Sequence, residues 1–319
     1  MQSIQAFLSS IIVGPAVGSA DLSVFPLLRT LPAEPAYDTL QDAIRAGQAK
    51  VTEVSEAGHV PELRVVNHGG SSVLIVDGEE LVGAKQNRIV NITILVPAKS
   101  TLTIPVSCVE AGRWARQSAE FASAERAYHA SGRRAKVEQV SASLRMSSSR
   151  HSDQGAIWAE IEAKSARMGA TSSTRAAAAM FDMMRERLDA FTNELHPLDG
   201  QVGAVFAIRG AIVGLDAFDS ARTWARVMPG LVRSYGLDAL DAAVGGNGFA
   251  KPDAHAFLAA IANAPLETFP AVGLGSDVRI GGDAVVGGAL VVDGGVVHIL
   301  AFPKHDAARP QTRRHWGVR

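Results

Sequence analysis

VLIVDGEELVGAKQNRIVNITILVPAKSTLTIPVSCVEAGR, residues 73–113, decides the fold. Residues 73–76, 89–96 and 102–106 are rich in Val, Ile and Thr, and NITILV and LTIPV alternate over several positions. A period of two marks half-buried strands. Turn residues punctuate them, Asn67-His68-Gly69-Gly70 before the stretch and Pro97-Ala98-Lys99-Ser100 within it. With 63–67 added, several antiparallel strands at this spacing predict an N-terminal β-sandwich or barrel-like domain over 1–112. That region also holds short apolar runs at 11–13 and 22–28 and one helix over 39–46. Thr39 caps the helix with Asp42 at the third position, and Gly47 ends it.

Outward from there the pattern changes. Residues 113–196 form a basic, helical middle segment. Trp114, Phe121 and Tyr128 stand at helical spacing and predict a helix over 114–128. Gly132 and the serines at 141, 143, 147, 148, 149 and 152 predict a mobile or ligand-ordered loop. Between 113 and 150 stand eight Lys/Arg against Glu120, Glu125 and Glu138. That excess suits a phosphorylated ligand or a solvated helix face. Helices are expected at 154–168 and 174–195. The second carries Ala177, Met180, Phe181, Met184, Leu188 and Phe191 as a core stripe. Residues 197–302 read as an antiparallel α+β domain: hairpins at 202–215 and 284–302, and helices from 219 or 220 to 244 and from 252 to 262. Pro229 is expected to kink or divide the first helix, and Gly245-Gly246-Asn247-Gly248 to connect the two. The fold class is α+β, with a basic, disordered tail at 303–319.

The 319 residues suffice for one large or two modest domains, and 47% hydrophobic with 20% charged residues is ordinary for a folded soluble chain. A formal net charge of −1 supplies no global field for nucleic acid or an anionic membrane. Cys108, the sole cysteine, excludes an intramolecular disulfide and suits a reducing cytoplasm. The opening MQSIQAFLSSIIVGPAVGSA has no Lys or Arg before its apolar part and is broken at Gly14-Pro15, so it reads as mature structure. No apolar run approaches the roughly 20 residues of a membrane helix.

The densest polar chemistry is Asp77 to Arg88, with Cys108, Glu110 and Arg113 behind it. Lys85, Arg88 and Arg113 suit a phosphate or carboxylate, and Gln86 and Asn87 suit hydroxyls or a base edge. Glu79, Glu80, Glu110 and Asp153 are candidates for paired acid/base carboxylates or for a hard metal, with Glu80 or Glu110 the favoured acid/base group. The same residues also suit a buried network pinning two sheets, or a solvated turn. Cys108 is a candidate nucleophile if a histidine such as His68, His151 or His298 approaches it. Otherwise it is a buried apolar residue. His298, inside an apolar strand, reads as a satisfied core histidine. No zinc spacing or phosphate-loop motif is present, and the residues name neither a metal nor a cofactor.

The segments VTEVSEAGHVPELRVVN (51–67), LIVDGEELVGAKQNR (74–88), TIPVSCVEAGRW (103–114), SDQGAIW (152–158) and GQVGAVFAIRGAIVGLDAFD (200–219) resemble the prokaryotic family named for its association with ADP-ribosylglycohydrolases and rhodanese-phosphatases. The likeness continues to VVHILAF (296–302). The family name records association, not activity, and carries over no catalytic residue. It implies a link to ADP-ribose or NAD metabolism. The expectation is therefore a hydrolase or transferase acting on an ADP-ribose-like or other phosphorylated small molecule. Two alternatives stand beside it: a non-catalytic nucleotide-binding or homo-oligomeric assembly protein, and a cysteine-dependent enzyme using Cys108.

Overall fold

A computed structural model describes residues 2–55, 60–242 and 252–304. The chain opens with α1 (Gln2–Ser9), β1 (Ile12–Val13), β2 (Val17–Gly18) and β3 (Leu22–Leu28). Next come β4 (Tyr37–Thr39), α2 (Leu40–Arg45), β5 (Ala49–Glu53), β6 (Glu62–Asn67), β7 (Ser72–Ile75) and β8 (Glu79–Gly83). After them follow β9 (Arg88–Val90), β10 (Ile94–Val96), β11 (Ser100–Cys108) and β12 (Phe121–Ala127). The middle is helical: α3 (Ala130–Ser147), α4 (Gln154–Met168), α5 (Ala178–Met183) and α6 (Arg185–Glu194). The last third holds β13 (Gln201–Ile208), β14 (Ala211–Phe218), α7 (Ala221–Ala242) and α8 (Ala254–Ala262). It ends with β15 (Leu266–Pro270), β16 (Ser276–Gly281), β17 (Val285–Val292) and β18 (Gly295–Pro303).

The class is α+β, and the alternating stretch closes on itself. A small barrel runs β11-β6-β5-β12-β8-β9. Val51, Leu63, Val65, Leu81, Ile104, Val106 and Phe121 fill one buried cluster with the neighbouring three-stranded sheet β10-β7-β4. The second large body is a nine-stranded sheet ordered β1-β3-β13-β14-β18-β17-β16-β15, with β2 beside β3. Its first strands come from the start of the chain: β3 pairs along β13 from Leu22↔Ile208 to Leu28↔Gln201. Residues 12–28 thus join the strands of the last third, not the barrel. One face of this sheet takes α1 and α8, and the other packs on α7 and the barrel side.

Several local expectations hold for plain reasons. Thr39 Oγ1 accepts the Asp42 N–H, and Asp42 Oδ2 accepts the Thr39 hydroxyl. Ser220 Oγ accepts the Thr223 N–H at the start of α7, and Asp253 caps α8; Asp153, a carboxylate candidate in the sequence, caps α4 instead. Met180, Phe181 and Leu188 are core.

Others are corrected. Residues 114–128 are not a helix; 121–127 form β12, which closes the barrel against β8 and β5. The serine-rich stretch is mostly helix α3, where Ser141 and Ser147 donate to carbonyls one turn back. The helix expected over 174–195 is two, α5 and α6, meeting at Met184. Pro229 lies inside a continuous α7. The Gly245–Gly248 connection and all of the basic tail beyond Lys304 lie outside the described residues. Among the described residues no helix is long and apolar enough to cross a membrane.

Candidate functional site at the barrel mouth

Register decides which polar residues meet. In the barrel wall, Leu81 pairs with Arg88 and Arg88 with Cys108, while Glu80 pairs with Ile89 and Ile89 with Ser107. Directly paired residues share a face, and successive residues alternate. Arg88 and Cys108 therefore point inward with Leu81, and Glu80 points outward. Glu80 meets Arg126 Nε at 2.6 Å on the helical side of the wall. The two carboxylates favoured from sequence, Glu80 and Glu110, do not converge.

Arg88 is fully buried. Its Nη1 donates to Gln86 Oε1 at 2.9 Å, while Nε and Nη2 have no nitrogen or oxygen partner and the Cys108 sulfur lies beside the guanidinium. Burial weakens its hold on its proton, and the neighbouring Cys108 and Glu53 act in the opposite direction. Glu53, at the end of β5, accepts the Lys85 N–H on Oε1, and its Oε2 is buried without a hydrogen-bond partner. Trp114 is about half exposed and spreads its ring 5.3 Å from Lys85 Nζ and 5.8 Å from the Arg88 guanidinium carbon. Glu53 and Lys85 also line a surface cleft of about 470 Å³, together with Arg64, Arg116 and Glu120.

Around this mouth the rest of the polar cluster is internally committed. Arg113 donates to Glu110 Oε2 at 2.6 Å, to Asn87 Oδ1 at 3.1 Å and to the Ala84 carbonyl at 2.8 Å. Burial alone would raise the Glu110 carboxyl, but Arg113 and other donors hold it below the ordinary range. Gln86 Nε2 donates to the Glu110 carbonyl. Glu110, Arg113 and Asn87 thus brace the turn that carries Lys85, Gln86 and Arg88.

Cys108 Sγ donates to Gln86 Oε1 at 3.1 Å, and Gln154 clasps the Cys108 backbone through both its N–H and its carbonyl at 2.8 Å. Burial pushes the thiol up against the pull of Arg88. The groups beside the sulfur are Gln86, Arg88, Glu110 and Trp158, none of them a histidine. His298 is satisfied elsewhere: it is fully buried, 2.7 Å from Thr93 Oγ1 and 3.3 Å from Asp216 Oδ1.

A second polar assembly, scattered in sequence, lies between the barrel and the large sheet. Arg133 forks onto both Asp216 oxygens at 2.6 and 3.0 Å, and Lys136 meets Asp77 at 2.6 Å. Burial works against ionisation of Asp216, but Arg133 and His298 overcome it and hold the carboxyl at about 2. Among the described residues no group of three or more His, Cys, Asp or Glu is arranged to hold a metal ion.

A family model described as the ARG and Rhodanese-Phosphatase-superfamily-associated Protein domain matches residues 10–302. The chain belongs to this family. No curated protein and no solved structure matches it. The matched span takes in the whole barrel and almost all of the large sheet, so the mouth belongs to the family domain. The family name links the chain to proteins associated with ADP-ribosylglycohydrolases and rhodanese-phosphatases, and it specifies no activity.

Sequence reasoning missed Glu53, which reaches the site only when β5 closes on the barrel. Glu79, which the sequence did single out, lies away from the mouth and lines a separate cleft with Leu74, Val76, Arg226 and Leu231. The single available signal was the strand alternation that puts Glu53 on the face of Val51.

Proposed function

We propose that the barrel mouth binds the anionic group of a phosphorylated small molecule, and that the protein acts on that molecule as a hydrolase or transferase. The observation that carries this is Arg88, a fully buried guanidinium with two nitrogens lacking a nitrogen or oxygen partner. Burying a charge without hydrogen bonds costs several kcal/mol, and an incoming phosphate or carboxylate offsets that cost. Trp114 offers an exposed ring on which a base can stack. Lys85 and Arg116 add positive charge to the cleft beyond it. An ADP-ribose-like ligand supplies both features, and the family association favours that class.

Within this reading Glu53 is the acid/base residue, because its Oε2 is unclaimed and the group lies beside Arg88. Glu110 and Arg113 position the turn, and Glu80 lies on the far side of the wall. A second reading, ligand binding without turnover, draws support from the capped Cys108 thiol, which has no base beside it.

Calorimetric titration with ADP-ribose, ADP and ribose 5-phosphate tests the site. At least one should bind, and Arg88→Met should weaken it at least about tenfold. Failure of the whole panel, or unchanged binding by Arg88→Met, would refute the site. Glu53→Gln separates the two readings: an enzyme keeps binding and loses product formation, whereas a binding protein shows no turnover in either form.

A further inference from the structure

A second cleft opens where the irregular strand β12 meets α7, with β7, β8 and the start of α2 completing its walls. Leu74, Val76 and Leu231, all buried, give it an apolar lining. Its free volume of about 50 Å³ equals a few water molecules, enough for a short aliphatic chain and too little for a nucleotide. The ligand drawn to the barrel mouth therefore does not fit here.

The charges on this cleft are unevenly matched. Arg126 pairs with Glu80, Arg226 with Asp42 and Glu125 with Arg45. Glu79 lines the same cleft and has no ion-pair partner among the described residues. Its Oε1 accepts the Ser123 hydroxyl at 2.9 Å and its Oε2 accepts the Val76 N–H at 3.3 Å, both neutral donors. A carboxylate offers about four acceptor positions, so these two bonds leave room for further donors. Burial pushes this carboxyl up to about 7, and neither arginine of the cleft pulls it back. Glu79 is also partly exposed, so a ligand in the cleft can reach it.

We propose that this cleft binds a small primary ammonium, its aliphatic body against Leu74, Val76 and Leu231 and its charged head on the Glu79 carboxylate. An anion would meet Glu79 with like charge. A hard divalent cation wants six or more oxygens, which an apolar wall does not supply. An ammonium carries three donors and one positive charge, and a methylene chain suits the wall. The head pairs only with the ionised carboxylate, so binding strengthens as pH rises through about 7. The other charged groups facing the cleft, Glu125, Arg126 and Arg226, are already held in ion pairs.

Calorimetric titration with n-butylamine tests this, with 1-butanol as the uncharged chain of the same length. At about pH 8 the amine should bind with a Kd of about 1 mM or tighter, and the alcohol at least about tenfold more weakly. At about pH 5.5 most of the protein holds a protonated Glu79, and the amine should bind at least about tenfold more weakly than at about pH 8. Glu79→Gln keeps the shape of the side chain and should lose both the tight binding and its pH dependence, whereas Arg88→Met should bind the amine as the parent does. No binding of the amine, equal binding of amine and alcohol, tighter binding at the lower pH, or undiminished binding by Glu79→Gln would each overturn the proposal. So would binding lost in Arg88→Met and kept in Glu79→Gln, which would assign the ammonium to the mouth. If Glu79→Gln does not fold, the amine–alcohol comparison and the pH dependence of the unaltered protein decide.

Discussion

Arg88 sits buried with half its donors idle, an arrangement that costs stability unless a ligand completes it. An apolar side chain of similar length removes that cost. Arg88→Met is therefore expected to lose ligand yet unfold within about 1 kcal/mol of the parent, or later. Urea midpoints check this, and a loss of about 3 kcal/mol or more would mark Arg88 as a structural tie. Glu79 carries a different burden. Burial lifts its carboxyl to about 7, against hydrogen bonds from Ser123 Oγ at 2.9 Å and the Val76 N–H at 3.3 Å. An unfolded glutamate ionises near about 4.3. Between those values the folded chain keeps a proton that the unfolded chain has released, so stability falls as pH rises through the window. Glu79→Gln should match the parent near about pH 4 and exceed it by about 1–2 kcal/mol near about pH 8, some solvent contact keeping the gain modest. A difference that does not change with pH would show that Glu79 is not the titrating group. At this scale the sequence was partly legible. The crowding of charge in DGEELVGAKQNR does mark a place where buried polar groups gather. It does not say that the strand wall divides them, sending Arg88 inward and Glu80 outward. Nor does it reveal Glu53 or Asp216, whose neighbours are distant in sequence, although it does read His298 as a satisfied core histidine.

Among the elements, β12 and α7 meet at a contact that leaves no slack. Strand β12 shifts register against β8 between Ser123 and Ala127, and Glu125 inside the bulge has φ +56°. The bulge carbonyl of Glu125 lies 2.8 Å from where a Cβ on Gly230 would stand. Gly230→Ala should therefore cost about 1–3 kcal/mol in spite of its better helix propensity, measured as a lowered unfolding midpoint. A neutral or stabilising result would mean that the bulge yields freely. The same bulge explains why β12 escapes a sequence reading: FASAERA breaks the two-residue period where the backbone turns left-handed. The hairpins of the last third are legible because their turns are local. Arg209-Gly210 and Asp293-Gly294 all take positive φ, as a tight hairpin turn requires. Strands β15 and β16 give no such signal, since LETFP is largely exposed and ends in proline.

For the molecule as a whole, the buried ion pairs act as the joint between barrel and sheet. Asp216 binds Arg133, Tyr235 and His298 at once. Asp216→Asn leaves Arg133 without its countercharge and should cost about 3–5 kcal/mol, read as a lowered calorimetric transition. A change below about 1 kcal/mol would mean that the joint is held by apolar packing instead. The order of strands in the large sheet has a consequence for how the chain is made. Synthesis delivers β3 early, yet its partner β13 lies far downstream, and β18, the last strand described, sits between β14 and β17 in the interior of the sheet. The apolar side chains of Leu22, Val24 and Leu27 must wait, uncovered, while the barrel and the helices emerge. A ribosome that stops short of residue 295 releases a chain whose sheet lacks an interior strand, so truncated products are marked for proteolysis or chaperone capture from birth.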